Sequence, residues 1–234
     1  CSRWHRPYQP LNGSQRRDKV KQLPFLGLIA LGRAAEERMQ ARLGTNTHKG
    51  AIFLGGLLLA RFRAAGAEPE SLRPAVAEVA EEIIAQLTPA ASHGAVVRQS
   101  YRVGGILAEA QAGLPSLFDV ALPAWQQSQS PCSQPSRGSF AMLAALMQRV
   151  EDTTALHRCG PLGLERLRRD GRELELLLGR GGNPVPLLQE LNLDYRRLNL
   201  TMGGVADLLG LAFGYLDYLG EPVGVELTAA GGER

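Results

Sequence analysis

The segment Gly44-Thr45-Asn46-Thr47-His48-Lys49-Gly50 sets short polar side chains, an imidazole and an ammonium directly before a strongly apolar run. A helix that starts there offers unpaired backbone N–H groups and a partial positive charge, the chemistry that receives phosphate oxygens. Lys49 adds a full charge. Ordinary capping by Asn46 or Thr47 is the reading that composition alone favours, but it leaves His48 and Lys49 unexplained. Leu200 to Asp207 repeats the pattern, with Thr201 as a cap candidate, Gly203 and Gly204 able to let backbone approach a ligand, and Asp207 inside the following apolar stretch. For this second entrance, too, capping and a helix-dipole role for Asp207 are the plain alternative.

Two further segments carry acids and histidines. Ser92-His93-Gly94 leads through Tyr101, Arg102, Gly104 and Gly105 to Glu109, an acid able to serve as a general acid, a base or a metal ligand. Glu151-Asp152-Thr153-Thr154-Ala155-Leu156-His157-Arg158 joins paired acids to a His-Arg pair, and a magnesium ion on a triphosphate takes such a carboxylate. Solvated acids and a polar helix end are the alternatives here. His48, His93 and His157 raise a three-histidine zinc site, but no short pair such as HxxxH or HxH supports it.

These residues need helices to position them, and helical spacing dominates the chain. Leu28, Leu31, Ala35 and Met39 recur at three and four residues, and Ile52, Leu54, Leu57, Leu58 and Phe62 follow. Pro24 is placed to open the first helix, and Gly44 separates it from a second that begins near Thr47 and His48. The same pattern predicts helices over about Glu70–Leu87, His93–Ala112, Phe140–His157, Pro186–Leu198 and Gly203–Leu219, with shorter pieces between Leu162 and Leu178. The expected fold is all-α, a single multi-helix bundle-like domain over residues 1–220. A polar loop of flexible composition spans about 126–138 and a disordered tail 221–234.

Composition narrows the class of function. Of the 234 residues, 44 % are apolar and 21 % charged, the balance of a folded globular chain. A net charge of +3 with scattered Lys and Arg gives no footprint for a nucleic acid and suits a small anion better. Three widely spaced cysteines form neither a disulfide framework nor a metal knuckle. Residues 1–10 lack the apolar run of a signal peptide, and no stretch has the uninterrupted apolar length of a membrane span. A cytoplasmic protein is expected. Its apolar helix faces can serve a homodimer as well as a monomer core.

The string GTNTHKGAIFLGGLL resembles the GxNTHKGAIF signature of triphosphoribosyl-dephospho-CoA synthases, the enzymes of citrate lyase and malonate decarboxylase systems. The resemblance continues through Ser92-His93-Gly94, the spaced Tyr101, Gly105, Glu109 and Gly113, Leu122-Pro123, EDTTALHRCG and MGGVADLLG, over about residues 36–220. The family usually has Arg-Gly-Glu where this chain has Leu107-Ala108-Glu109, and Ser-Pro-Gly-Gly where it has Thr201-Met202-Gly203-Gly204. Its amino-terminal Gly-Ser-His is represented only by Gly13-Ser14-Gln15.

The resemblance implies an enzyme whose substrates are ATP and 3'-dephospho-CoA: the acceptor's 2'-hydroxyl attacks the ribose C1 of ATP, adenine leaves, and the triphosphate stays on the transferred sugar. The product is the precursor of an acyl carrier protein's prosthetic group. On this reading Asn46, Thr47, His48, Lys49, Gly50, His157, Arg158, Thr201, Gly203 and Gly204 hold phosphates. Glu109, Asp152, Asp207 and His93 are the catalytic candidates, and the three acids are also candidate ligands for Mg2+. A helical metal-dependent phosphohydrolase built on the histidines, and a divergent paralogue that binds ATP or CoA or uses another acceptor, are the competing readings.

Overall fold

The computed structural model describes residues 25–44, 48–66, 68–86, 93–129 and 136–221. Among them there are helices and no strand. The chain runs through α1 (Phe25–Leu43), α2 (Lys49–Ala65), α3 (Pro69–Gln86), α4 (His93–Tyr101) and α5 (Gly105–Gln111). A π-helical turn, Ser116–Ala121, passes directly into α6 (Leu122–Ser128). Then come α7 (Ser136–Arg149), α8 (Thr153–Gly179), α9 (Val185–Leu198) and α10 (Gly203–Leu219).

The core forms where apolar spacing turns one face of each helix inward. Leu54, Leu57, Leu58 and Phe62 of α2 meet Leu72, Val76, Val79 and Ile83 of α3 and Val205, Leu208, Leu211, Ala212 and Tyr215 of α10. Met142, Leu146 and Met147 of α7 close the same cluster. Each fully buried leucine contributes about 1.5–3 kcal/mol, so α10, which touches α2, α7, α8 and the π-helix, is held mainly by packing. That fixes the position of its amino-terminal end.

The extent of α10 agrees with its spacing, whereas four other stretches differ from expectation. The predicted His93–Ala112 helix is broken at Arg102–Gly104, with Arg102 (φ 54) and Gly105 (φ 55) in the left-handed region. The predicted Phe140–His157 helix ends at Arg149, and a new one starts at Thr153 because the Asp152 side chain caps it. The pieces expected between Leu162 and Leu178 are instead one run from Thr153 to Gly179, kinked at Gly160 and Pro161. Helix also covers residues 126–128 and 136–138 of the expected polar loop. The loop residues 130–135 and the tail residues 222–234 lie outside the described residues.

Helix α9 buries only Leu191 and Tyr195 and is tied to α8 by charge. Asp170, 1 % exposed, accepts hydrogen bonds from Arg166 Nε and from the Tyr195 hydroxyl at 2.9 Å. Arg166 also reaches Asp194 at 3.1 Å. Burial and the neighbouring Asp170 push the Tyr195 phenol far above its ordinary range, so it stays a hydrogen-bond donor.

Candidate active site

Four sequence segments far apart in the chain meet at the entrances of α2, α5, α8 and α10. Asp152 is the knot. Fully buried, it accepts hydrogen bonds through Oδ1 from Thr154 N at 2.8 Å and Ala155 N at 3.0 Å, capping α8. Its Oδ2 accepts a third from Val205 N at 2.9 Å, in the first turn of α10. One carboxylate therefore satisfies backbone N–H groups at two helix starts, where they have no partner within their own helix. The Gly203-Gly204 pair makes this possible: a β-carbon on Gly203 would lie 2.6 Å from Thr154 Oγ1, and one on Gly204 would lie 3.2 Å from Asp152 Oδ2.

Asp207 lies two residues beyond Val205 and faces the start of α2. It is 7 % exposed, and its Oδ1 is buried with no hydrogen-bond partner. Burial lifts its pKa to about 6, and Asp152 adds to the rise, against the backbone N–H groups of Ala51 and Gly50 and against His48. His48 Nδ1 stands 4.0 Å from Asp207 Oδ1, too far for a hydrogen bond. A β-carbon on Gly50 would collide with Asp207 Oδ2 and with Ile106 Cδ1. Gly50→Ala is accordingly expected to displace the Asp207 carboxylate and cut turnover about 100-fold, the scale set by small misplacements of reacting groups. Initial rates beside an unchanged far-ultraviolet circular dichroism spectrum test this.

The other sequence-derived candidates take varied places. Asn46 and Thr47 lie outside the described residues, and the residue preceding α2 is His48, whose side chain caps nothing. Lys49 pairs with Glu36 of α1 at 3.1 Å. His93 begins α4, and its side chain is outside the described residues. His157 is exposed near the start of α8, and Arg158 donates to Asn199 Oδ1 at the end of α9. Thr201 does not cap α10; its Oγ1 is buried without a partner, and Asp152 does the capping from another helix. Glu151, not singled out for the site, accepts from Gly104 N at 3.2 Å and so secures the segment leading into α5.

Glu109 stands apart from this group. Its Oε1 and Oε2 accept from Ser116 N at 2.7 Å and Ser116 Oγ at 2.8 Å, which caps the π-helix. Burial raises its pKa, and those hydrogen bonds oppose the rise. Arg73 grips Asp119 beside it through two bonds of 2.6 Å. A catalytic acid or base would cost about 100-fold or more on Glu109→Gln. The capping geometry predicts instead that turnover stays within about threefold while stability falls on the order of 1–2 kcal/mol, read from initial rates and the urea midpoint.

The helix entrances that the sequence offered to phosphates are thus occupied in good part by carboxylates. Asp152 takes the N–H groups of α8 and one of α10, and Asp207 sits at those of α2. Among the described residues no group of three or more His, Cys, Asp or Glu side chains is placed to hold a metal ion. No helix among them is long and apolar enough to cross a membrane.

Fold and site together define an all-helical protein with a buried pair of acids at converging helix entrances. Residues 12–226 match the family model described as ATP:dephospho-CoA triphosphoribosyl transferase. The chain belongs to that family of transferases. It is 37 % identical over 207 residues to a protein of Azotobacter vinelandii named "probable 2-(5''-triphosphoribosyl)-3'-dephosphocoenzyme-A synthase", covering 83 % of this chain and 69 % of that one. Proteins of the same name from Pseudomonas fluorescens (37 % identity, 77 % of this chain, 64 % of that one) and Pseudomonas aeruginosa (36 %, 81 % and 66 %) are similar. The chain thus spans about two thirds of these relatives' length. No solved structure matches it.

Proposed function

We propose that this chain transfers the triphosphoribosyl group of ATP to the 2'-hydroxyl of 3'-dephospho-CoA and releases adenine, supplying a carrier protein's prosthetic-group precursor. The bond from ribose C1 to the adenine nitrogen breaks and a bond from C1 to the acceptor oxygen forms. The proton lost by the hydroxyl is balanced by the one gained by departing adenine. The transition state carries positive charge on the sugar, and an ionised carboxylate held in a water-poor site stabilises such charge. The observation that carries the reading is the buried Asp207 with its unpartnered Oδ1, set beside Asp152 where the family's motif segments meet.

Mg2+ fits this donor set in a restricted way. Asp152 has both oxygens engaged by backbone N–H groups, which leaves Asp207 Oδ1 as the hard oxygen free to meet an ion. Mg2+ commonly takes one or two carboxylates together with substrate phosphates, so the arrangement suits an ion arriving on the triphosphate. When bound, it would offset the phosphate charge brought beside two acids. Asp207 would hold such an ion at the triphosphate end of the donor, and the Asp152 knot keeps the α10 entrance in place around Asp207.

Incubation with ATP and Mg2+, with and without dephospho-CoA, tests the reading by chromatography of free adenine. Adenine is expected only when the acceptor is present. Release of ADP or phosphate instead would replace it with the phosphohydrolase.

A further inference from the structure

The end of α4 carries a cluster that the acid pair does not use. Tyr101, its last residue, is 41 % exposed and belongs to none of the buried apolar clusters. Its hydroxyl lies 3.7 Å from where a β-carbon of Gly160 would stand, at the kink of α8. Gly160 has φ 63 and Pro161 follows it, so the α8 backbone kinks where the Tyr101 hydroxyl approaches. Val97 of α4 packs with Leu156 and Leu164 of α8, one turn to either side of Gly160, and this holds the ring in register with the kink.

Two guanidiniums flank Tyr101. Arg98 lies one turn earlier, its Cδ 3.8 Å from the β-carbon position of Gly105, and Arg102 follows in the left-handed region. Among the described residues neither makes an ion pair. A helix carboxyl end attracts cations in any case, which accounts for the charge but not for the exposed ring between them. The cluster adjoins the acid pair: Gly105 abuts Thr153, the residue after Asp152, and Glu151 holds Gly104.

We infer that Tyr101, Arg98 and Arg102 form the acceptor subsite, in which the ring stacks on the adenine of dephospho-CoA and the guanidiniums take its pyrophosphate. The inference rests on the transferase reading above. An exposed aromatic ring with an arginine one helical turn before it and another directly after it matches an adenosine diphosphate unit, because adenine stacks on tyrosine and guanidinium binds phosphate oxygens in pairs. The donor's triphosphate suits the acid pair with Mg2+, whereas a pyrophosphate without a metal needs cations from the protein. ATP also contains adenine, so the two sources are separated by measurement.

The test compares wild type with Tyr101→Leu and Arg102→Gln, each checked for an unchanged circular dichroism spectrum. KM is measured for each substrate with the other saturating, and calorimetry follows dephospho-CoA binding without ATP. The expected result is a rise of about tenfold or more in the KM and Kd for dephospho-CoA, with the KM for ATP and kcat little changed. A rise for ATP alone would assign the cluster to the donor and overturn the inference, as would no change for either substrate. Wild type that binds dephospho-CoA but turns over neither substrate would count against the transferase reading, while the calorimetric comparison would still decide the subsite.

Discussion

Asp152→Ala is expected to lower stability by about 3–5 kcal/mol, the largest loss foreseen for any single polar residue in the chain. Three backbone N–H groups at two helix starts bond to this one buried carboxylate. Alanine leaves all three without that acceptor, those of Ala155 and Val205 buried, and opens a void where α8 meets α10. For a chain of this size that is a fall of roughly 10 °C in Tm. Asp152→Asn keeps one acceptor oxygen and should lose about half as much. Urea unfolding of the three proteins at one pH measures the series. A loss under about 1 kcal/mol for the alanine variant would show that the knot does not hold the two entrances together.

Asp207→Asn should behave in the opposite way, with turnover reduced by about 1000-fold or more and stability at neutral pH equal to or above that of wild type. The sign follows from the raised pKa. Burial holds Asp207 near 6 in the folded chain, above its unfolded value of 3.8. The folded state keeps this proton through the window from about 4 to 6, so the group's contribution to stability falls as pH rises through it. Above that window the charged carboxylate costs on the order of 3 kcal/mol. Without Mg2+ or nucleotide, wild type should therefore lose stability between pH 4 and 7 in a step that Asp207→Asn lacks. Thermal melts in EDTA across that range measure it. A variant that kept wild-type turnover would remove Asp207 from the chemistry, and a step of the same size in both proteins would place the titration elsewhere.

The contrast between these acids shows where sequence reading stops. Helix α10 was legible to its ends, because two glycines precede a long apolar run and Gly220 closes it in the left-handed conformation. The break before α8 was also signalled, since Asp152 followed by Thr153 and Thr154 is a capping pattern, but the apolar run through Val150 suggested a continuous helix. The positive φ of Arg102 had no local cue, and the Gly104–Gly105 backbone after it meets Glu151 and Thr153 from a distant part of the chain. The four segments of the site were visible as motifs, and the structure brings Gly50, Gly105, Asp152, Thr154 and Asp207 of them together while Glu109, Lys49 and Arg158 bond elsewhere.

What each acid does there was not visible. Asp152 accepts from Val205, 53 residues later, and Glu109 reaches across a turn to Ser116. Both bonds depend on tertiary packing, which spacing along the chain does not encode. The same limit applied to Asp207: its position in the α10 pattern left a dipole partner and a ligand-facing acid both open, and only the packing shows that its carboxylate faces α2.

The most direct test of the transferase account uses ATP labelled in its γ-phosphate and in its adenine ring, incubated with Mg2+, dephospho-CoA and the protein, with Asp207→Asn alongside. The account predicts that the phosphate label moves entirely to a CoA product heavier by one triphosphoribosyl group, that the ring label appears as free adenine in equal amount, and that the variant yields neither. Phosphate label released as orthophosphate or pyrophosphate, with the ring label still attached to ribose, would contradict it.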